Sequence, residues 1–88
     1  MSLQTFRDLA TVSEDVIDVV AAFPDIAPAL IKIGKDAVQA VLSRSAPAFA
    51  QVITDATAAY AAFQADKGAA APAMEKLIAD LNQLASDL

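Results

Sequence analysis

The sequence contains no Cys, no His and no Trp, and it has only two Gly. Without Cys there is no disulfide and no thiolate ligand for a metal ion. Without His or Cys, the commonest pairs of nucleophile and base cannot be assembled. Gly34 and Gly68 lie too far apart to form a Gly-rich phosphate-binding loop. These absences predict a protein that is not an enzyme and that binds no cofactor and no metal.

Positive charge is also scarce. Six Lys and Arg stand against eleven Asp and Glu, which gives a net charge of −5 at pH 7. The basic residues are scattered, whereas binding to nucleic acid needs them clustered, so nucleic acid is not an expected partner. The amino terminus shows no basic region followed by an apolar stretch, as a secretory signal would have. The expected location is therefore cytoplasmic.

One local group of carboxylates could serve acid–base chemistry or bind a hard cation. It comprises Glu14, Asp15 and Asp18. Helical spacing places Asp15 and Asp18 on one face but turns Glu14 away, and no Gly-containing loop follows. The pattern predicts a solvated polar face.

Apolar residues make up 57% of the chain, and many of them are Ala, which favours helices but fills a core poorly. Apolar periodicity predicts a single all-α domain over residues 1–88, with helices at about 2–23, 26–43, 46–66 and 71–88. Short connections predict a small four-helix bundle. The alternative is a set of helical hairpins in which one long helix is kinked near Ser45–Pro47.

An Ala-Pro-Ala frame recurs at three of these helix starts, around Pro28, Pro47 and Pro72. In each copy the second, fifth and ninth residues after Pro are apolar, the fourth is polar and the eighth is Asp. Because Pro suits the first turn of a helix, the frame predicts three helix starts and three inward faces. The inward positions are Leu30, Ile33 and Ala37; Phe49, Val52 and Ala56; and Met74, Leu77 and Leu81.

Further residues mark helix ends and the face of the first helix. Ser2, Asp25 and Ser45 are predicted to cap the first, second and third helices. Gly68 is predicted to end the third helix in a left-handed conformation. On the first helix, Phe6 is predicted to lie on the apolar face with Leu9, Val12, Val16, Val19, Val20 and Phe23.

The second and third helices carry more apolar surface than a lone bundle of this size can cover, and such surface is typical of an interface. We therefore expect a non-enzymatic interaction or structural module that self-associates as a homo-oligomer or binds another helical protein. The candidate interface residues are Ile31, Val38, Leu42, Phe49, Ile53 and Tyr60.

Two other functions are compatible with the same residues. The stretch from Ser45 to Ala65 contains one charge, Asp55, and is near the length that spans a bilayer. A pore-forming or holin-like protein could insert the second and third helices as a hairpin, although the central Asp55 favours a buried bundle helix. The remaining alternative is a carrier of an apolar ligand, with Phe49, Tyr60 and Phe63 lining the pocket.

Overall fold

Four α-helices account for most of the chain. The computed structural model describes residues 2–67 and 71–88. Its helices are α1 (Leu3–Ala22), α2 (Ala27–Leu42), α3 (Ala46–Lys67) and α4 (Pro72–Asp87), with a short 3₁₀ turn at Pro24–Ile26. Each helix packs against the next along the chain, and α4 packs against α1, which closes the ring. The predicted all-α four-helix bundle is confirmed.

Two serine residues cap helices as predicted. Ser2 Oγ accepts a hydrogen bond of 3.1 Å from the N–H of Thr5, at the start of α1. Ser45 Oγ accepts one of 3.2 Å from the N–H of Ala48, at the start of α3. Both bonds satisfy backbone donors that the first turn of a helix leaves without an internal partner.

The predicted Asp25 cap is wrong. Asp25 lies inside the 3₁₀ turn, and Ile26 precedes α2 without a side-chain hydrogen bond to the helix. Pro24 explains the difference, because its fixed φ suits the first residue of a helical turn. The turn therefore begins at Pro24, whereas a capping residue needs a non-helical backbone. The stop predicted at Gly68 lies outside the described residues.

The chain reverses between α2 and α3 at Arg44, which has a left-handed φ of 53°. The Arg44 N–H donates to the Val41 carbonyl at 3.1 Å, and the Ser45 N–H donates to the Ala40 carbonyl at 3.0 Å. This pair of bonds is the Schellman motif, which ends a helix. The alternative of one long helix kinked near Ser45–Pro47 is therefore wrong.

We expect Arg44→Gly to raise the free energy of unfolding by about 0.5–1 kcal/mol, because Gly adopts a left-handed φ with little strain. Arg44→Ala removes the same charge but keeps the Cβ atom, so it should bring no gain. Urea denaturation of the three proteins at equal concentration measures both effects. An equal gain in both variants would show that the charge, rather than the backbone conformation, is responsible.

The Ala-Pro-Ala frame sets the inward faces of α2, α3 and α4. All nine predicted inward residues are buried: Leu30, Ile33, Ala37, Phe49, Val52, Ala56, Met74, Leu77 and Leu81. The polar positions of the frame are hydrogen-bonded to each other in every copy. Those bonds join Lys32 to Asp36 at 2.7 Å, Gln51 to Asp55 at 2.9 Å, and Lys76 to Asp80 at 3.0 Å. The repeated sequence thus gives α2, α3 and α4 the same inward positions and the same hydrogen bond between polar side chains.

Candidate interaction surface

Several large apolar side chains remain exposed on the bundle. They are Leu3, Phe6, Ile17, Ile31, Leu42 and Leu88. The prediction that Phe6 lies on the buried face of the first helix is wrong, since its side chain is 60% exposed. Six residues separate Phe6 from the buried Val12, and this spacing turns the two side chains about 120° apart around the helix. The apolar arc of α1 is therefore wider than the part that the bundle covers.

The exposed residues of α1 form one row along the helix. Leu3, Phe6, Ala10, Ser13 and Ile17 follow one another at steps of three or four residues, and all are exposed. That spacing keeps side chains on one side of an α-helix. The row extends over most of α1 and lies outside the core.

A second row follows α2. Ile31, Lys35, Val38 and Leu42 are also spaced by three or four residues; Val38 is half-buried and the other three are exposed. The two rows border a groove of about 420 Å³ between α1 and α2, lined by residues that include Leu9, Val12, Val16, Ile17, Ile31, Gly34 and Val38. We call this surface the α1/α2 face: Leu3, Phe6, Ala10, Ser13 and Ile17 of α1, with Ile31, Lys35, Val38 and Leu42 of α2.

Gly34 sits at the centre of this groove, opposite Val16. A methyl group added to Gly34 would lie 3.5 Å from Val16 Cγ1, which is an ordinary packing distance. Because α1 and α2 are antiparallel neighbours in the bundle, the approach of Gly34 to Val16 sets the register of the two helices. Residues are called level where they lie at the same height along the bundle axis. Lys32 stands level with Asp18, and Lys35 is within one turn of Glu14.

The predicted interface residues divide between two places. Ile31, Val38 and Leu42 belong to the α1/α2 face. Phe49 is only 1% exposed, so it belongs to the core, as its inward position in the Ala-Pro-Ala frame requires. Ile53 and Tyr60 are half-buried on α3 and pack against the core. The structure thus brings together the three candidates from α2 and does not add those from α3.

The outward side of α3 carries small residues. Its exposed positions include Ala50, Thr54, Thr57, Ala58, Ala61, Ala62 and Ala65. Alanine counts as apolar in a sequence pattern, but it has little surface to bury against a partner. The large apolar residues of α3 therefore belong to the core, and its outward side has little apolar surface. No helix within residues 2–67 and 71–88 has both the length and the apolar character needed to cross a bilayer.

The prediction that the Glu14, Asp15 and Asp18 group is fully solvated is wrong for Asp15, which is 3% exposed. Lys76 Nζ donates to Asp15 Oδ1 at 2.7 Å, while Asp15 Oδ2 has no hydrogen-bond partner among the described residues. Burial and the neighbouring Asp80 carboxyl raise the pKa of Asp15 to about 6. The pattern of α1 alone does not predict this burial, because Lys76, which bonds Asp15, is on α4.

A second pair of neighbouring carboxyl groups, Asp8 and Asp87, lies along the contact between α1 and α4. We call this contact, which also contains Asp15 and Asp80, the α1–α4 seam. The interaction of the Asp8 and Asp87 carboxyl groups is the main cause that raises the pKa of Asp8 and lowers the pKa of Asp87. Asp8 precedes Asp15 by seven residues, and Asp80 precedes Asp87 by seven. The two pairs therefore repeat with the period of the packing seam. No group of three metal-ligating side chains occurs among the described residues. We therefore assign the two carboxyl pairs to the packing of α1 against α4.

A cleft of about 780 Å³ opens between the 3₁₀ turn and α3. Its walls include Phe23, Ile26, Leu30 and Phe63, and its rim carries Asp25, Asp66 and Lys67. The rings of Phe23 and Phe63 meet edge to face with their centroids 4.6 Å apart. Of the three residues expected to line a pocket for an apolar ligand, Phe63 lines this cleft, whereas Phe49 and Tyr60 do not. The carrier hypothesis stays a prediction.

Comparison of the chain with models of known protein families, with curated proteins and with solved structures finds no match. The geometry of its own surface is therefore the basis for a functional proposal.

Proposed function

We propose that the protein is a non-enzymatic helical module that self-associates through the α1/α2 face. The observation that carries this proposal is the position of the exposed large apolar residues. Among the described residues, five of the six, all except Leu88, lie on that one face. Contiguous exposed apolar surface of this kind is typical of an interaction site. The proposed surface differs from the α2–α3 surface expected from the sequence, because α1 supplies the exposed large residues and α3 does not.

The size of the face supports a second copy as the partner. The bundle measures 38 × 21 × 19 Å, so an entire long side projects to about 800 Å², which is close to what each partner buries in a standard interface. An interface formed by the same surface on both copies closes after two subunits. The proposed assembly is therefore a homodimer.

The described residues assemble no pair of nucleophile and base, and a non-enzymatic role is compatible with that. The chain has no His and no Cys. Its most buried carboxylate, Asp15, is held by Lys76 in the α1–α4 packing and lines none of the described clefts. A binding role needs only the surface already described.

We expect the double variant Phe6→Gln/Ile17→Gln to lose self-association while keeping its fold. Each replaced side chain is exposed in the monomer but buried twice in a symmetric dimer, so the dissociation constant should rise by about 100-fold or more. Gln is a good helix former and adds no charge. Sedimentation equilibrium gives the dissociation constant, and circular dichroism checks the helix content.

Leu88→Gln is the matched control, because Leu88 is exposed but lies outside the α1/α2 face. It should associate like the wild type. A wild-type protein that stays monomeric at sub-millimolar concentration would remove the proposal, and so would equal weakening by the control.

A further inference from the structure

We propose that the cleft between the 3₁₀ turn and α3 binds a small apolar molecule that carries one positive charge, such as an arylalkylammonium ion. The apolar part of the ligand packs against Phe23, Ile26 and Phe63, and its ammonium group lies beside Asp25. This proposal goes beyond self-association, because the residues that line the cleft are distinct from those of the α1/α2 face.

The cleft has the size and the apolar walls of a small-molecule site. Its volume of about 780 Å³ falls in the range of roughly 300–1,000 Å³ that is usual for ligand pockets. Phe23 and Ile26 are only half-buried, so part of their apolar surface meets water, whereas Leu30 and Phe63 are buried in the core. An aromatic or aliphatic group that enters the cleft removes this apolar surface from water.

Small side chains keep the cleft open. Ala29 of α2 and Ala62 of α3 line it and are exposed, and Ala59 lines it and is half-buried. Alanine adds only one methyl group at each of these positions, so α2 and α3 leave a cleft where larger side chains would meet. The space between the two helices is therefore set by the sequence and can be changed by substitution.

The charged residues at the rim favour a cation. Two carboxylates, those of Asp25 and Asp66, line the cleft together with one ammonium group, that of Lys67. Lys67 Nζ lies 3.6 Å from Asp66 Oδ2, so these two charges offset each other. Asp25 is exposed and forms no ion pair among the described residues. Its carboxylate attracts an ammonium group and repels a second carboxylate.

The charges beyond the rim act in the same direction. Lys32 lies one turn after Ala29 on α2, but it bonds Asp36 at 2.7 Å. On α1, Asp18 lies one turn before Ala22, which lines the cleft. The protein as a whole carries a net charge of −5 at pH 7. The surrounding field therefore favours a cation over an anion of the same shape.

The test uses three ligands with one carbon skeleton: phenylbutylamine, phenylbutanol and phenylbutyrate, which at pH 7 are a cation, a neutral molecule and an anion. NMR titration of the isotope-labelled full chain at low ionic strength measures each dissociation constant. We expect the amine to bind with a sub-millimolar constant, the alcohol about three- to fivefold more weakly, and the acid more weakly still. The signals of Ile26 and Ala62 should move, and those of Ile31 should not.

Substitutions locate the site. Ala29→Leu/Ala62→Leu places larger side chains in the cleft and should weaken binding of the amine by about tenfold or more. Ala58→Leu/Ala61→Leu makes the same change at two exposed positions of α3 outside the cleft, so it should bind like the wild type. Asp25→Asn should weaken the amine about three- to fivefold and leave the alcohol unchanged. Circular dichroism checks the helix content of every variant.

The results also distinguish this cleft from the groove of the α1/α2 face. Preference for the amine, together with its loss in Ala29→Leu/Ala62→Leu, supports the proposal. Equal dissociation constants for the three ligands would overturn the cationic ligand class. No binding of the amine in the sub-millimolar range, or unchanged binding in Ala29→Leu/Ala62→Leu, would remove the site. Phe6→Gln/Ile17→Gln should bind the amine like the wild type, and weaker binding there would place the ligand on the α1/α2 face and overturn the assignment to the cleft.

Discussion

Replacement of Asp15 by Asn is expected to raise the free energy of unfolding at pH 7 by about 2–3 kcal/mol. Asp15 is ionised at this pH although it is 3% exposed and one of its oxygens has no partner. Asn keeps the shape, accepts the hydrogen bond from Lys76 through its amide oxygen, and adds an N–H group that can donate to Asp80. Because total stabilities of small domains are often near 5 kcal/mol, the gain should be large in any unfolding experiment.

The same carboxyl predicts an unusual pH dependence. The pKa of Asp15 is raised from 3.8 to about 6 in the folded protein, so between these values the folded state binds more protons than the unfolded state. Stability should therefore rise as the pH falls from about 7 to 5, by about 1 kcal/mol. Below 3.8 the trend should reverse, because the lowered pKa values of Asp80 and Asp87 stabilise the fold only while those groups are ionised.

Urea denaturation of wild type and Asp15→Asn at pH 7 and pH 5, at one fixed protein concentration, measures both effects. The variant should be more stable at pH 7 and should lack most of the wild-type gain at pH 5. Asp66→Asn changes an exposed carboxylate on α3 and serves as the control, with little expected effect. If Asp15→Asn destabilises the protein at pH 7, the bond to Lys76 outweighs the cost of burying the charge, and our account of this seam is wrong.

Replacement of Phe49 by Ala is expected to lower the free energy of unfolding by about 3–5 kcal/mol, since it removes a buried aromatic side chain and leaves a cavity. Phe49 is 1% exposed and is one of the largest fully buried side chains. For a domain with about 5 kcal/mol of total stability, such a loss leaves much of the protein unfolded on modest heating. Thermal unfolding followed by circular dichroism measures the loss.

Leu42→Ala provides the contrast, because Leu42 is 64% exposed. In dilute, monomeric protein it should change stability by no more than about 0.5 kcal/mol, while at higher concentration it should weaken self-association. The opposite pattern, in which Phe49→Ala retains full stability but no longer associates, would place Phe49 at an interface, as the sequence alone suggested.

The sequence predicted the architecture well because the helix signals are local. Pro, Ser and apolar residues at fixed spacing act within one or two turns, and the nine inward positions of the Ala-Pro-Ala frame follow from that spacing. The left-handed conformation of Arg44 could not be predicted from such local signals. A left-handed residue with a large side chain carries no sequence mark of the kind that Gly gives, and here it accompanies the two hydrogen bonds that end α2.

The candidate surface was predicted only in part because a helical pattern shows an apolar arc but not which part of it a neighbouring helix covers. Ile31, Val38 and Leu42 lie on the α1/α2 face, whereas Phe49 is buried. The exposed row on α1 was not among the residues predicted from the sequence. The spacing of Leu3, Phe6, Ala10, Ser13 and Ile17 was the available signal, but it overlaps the arc that also contains the core residues. Asp15 was missed for a related reason, since its burial depends on α4.

The most direct test of the proposed association is an isotope-filtered NMR experiment on a mixture of labelled and unlabelled wild-type chains, which detects only contacts between copies. We predict intermolecular contacts from Phe6, Ile17, Ile31 and Leu42. Tyr60 on α3 should show none. Contacts confined to α3 and α4, or no intermolecular contact at sub-millimolar concentration, would contradict the account.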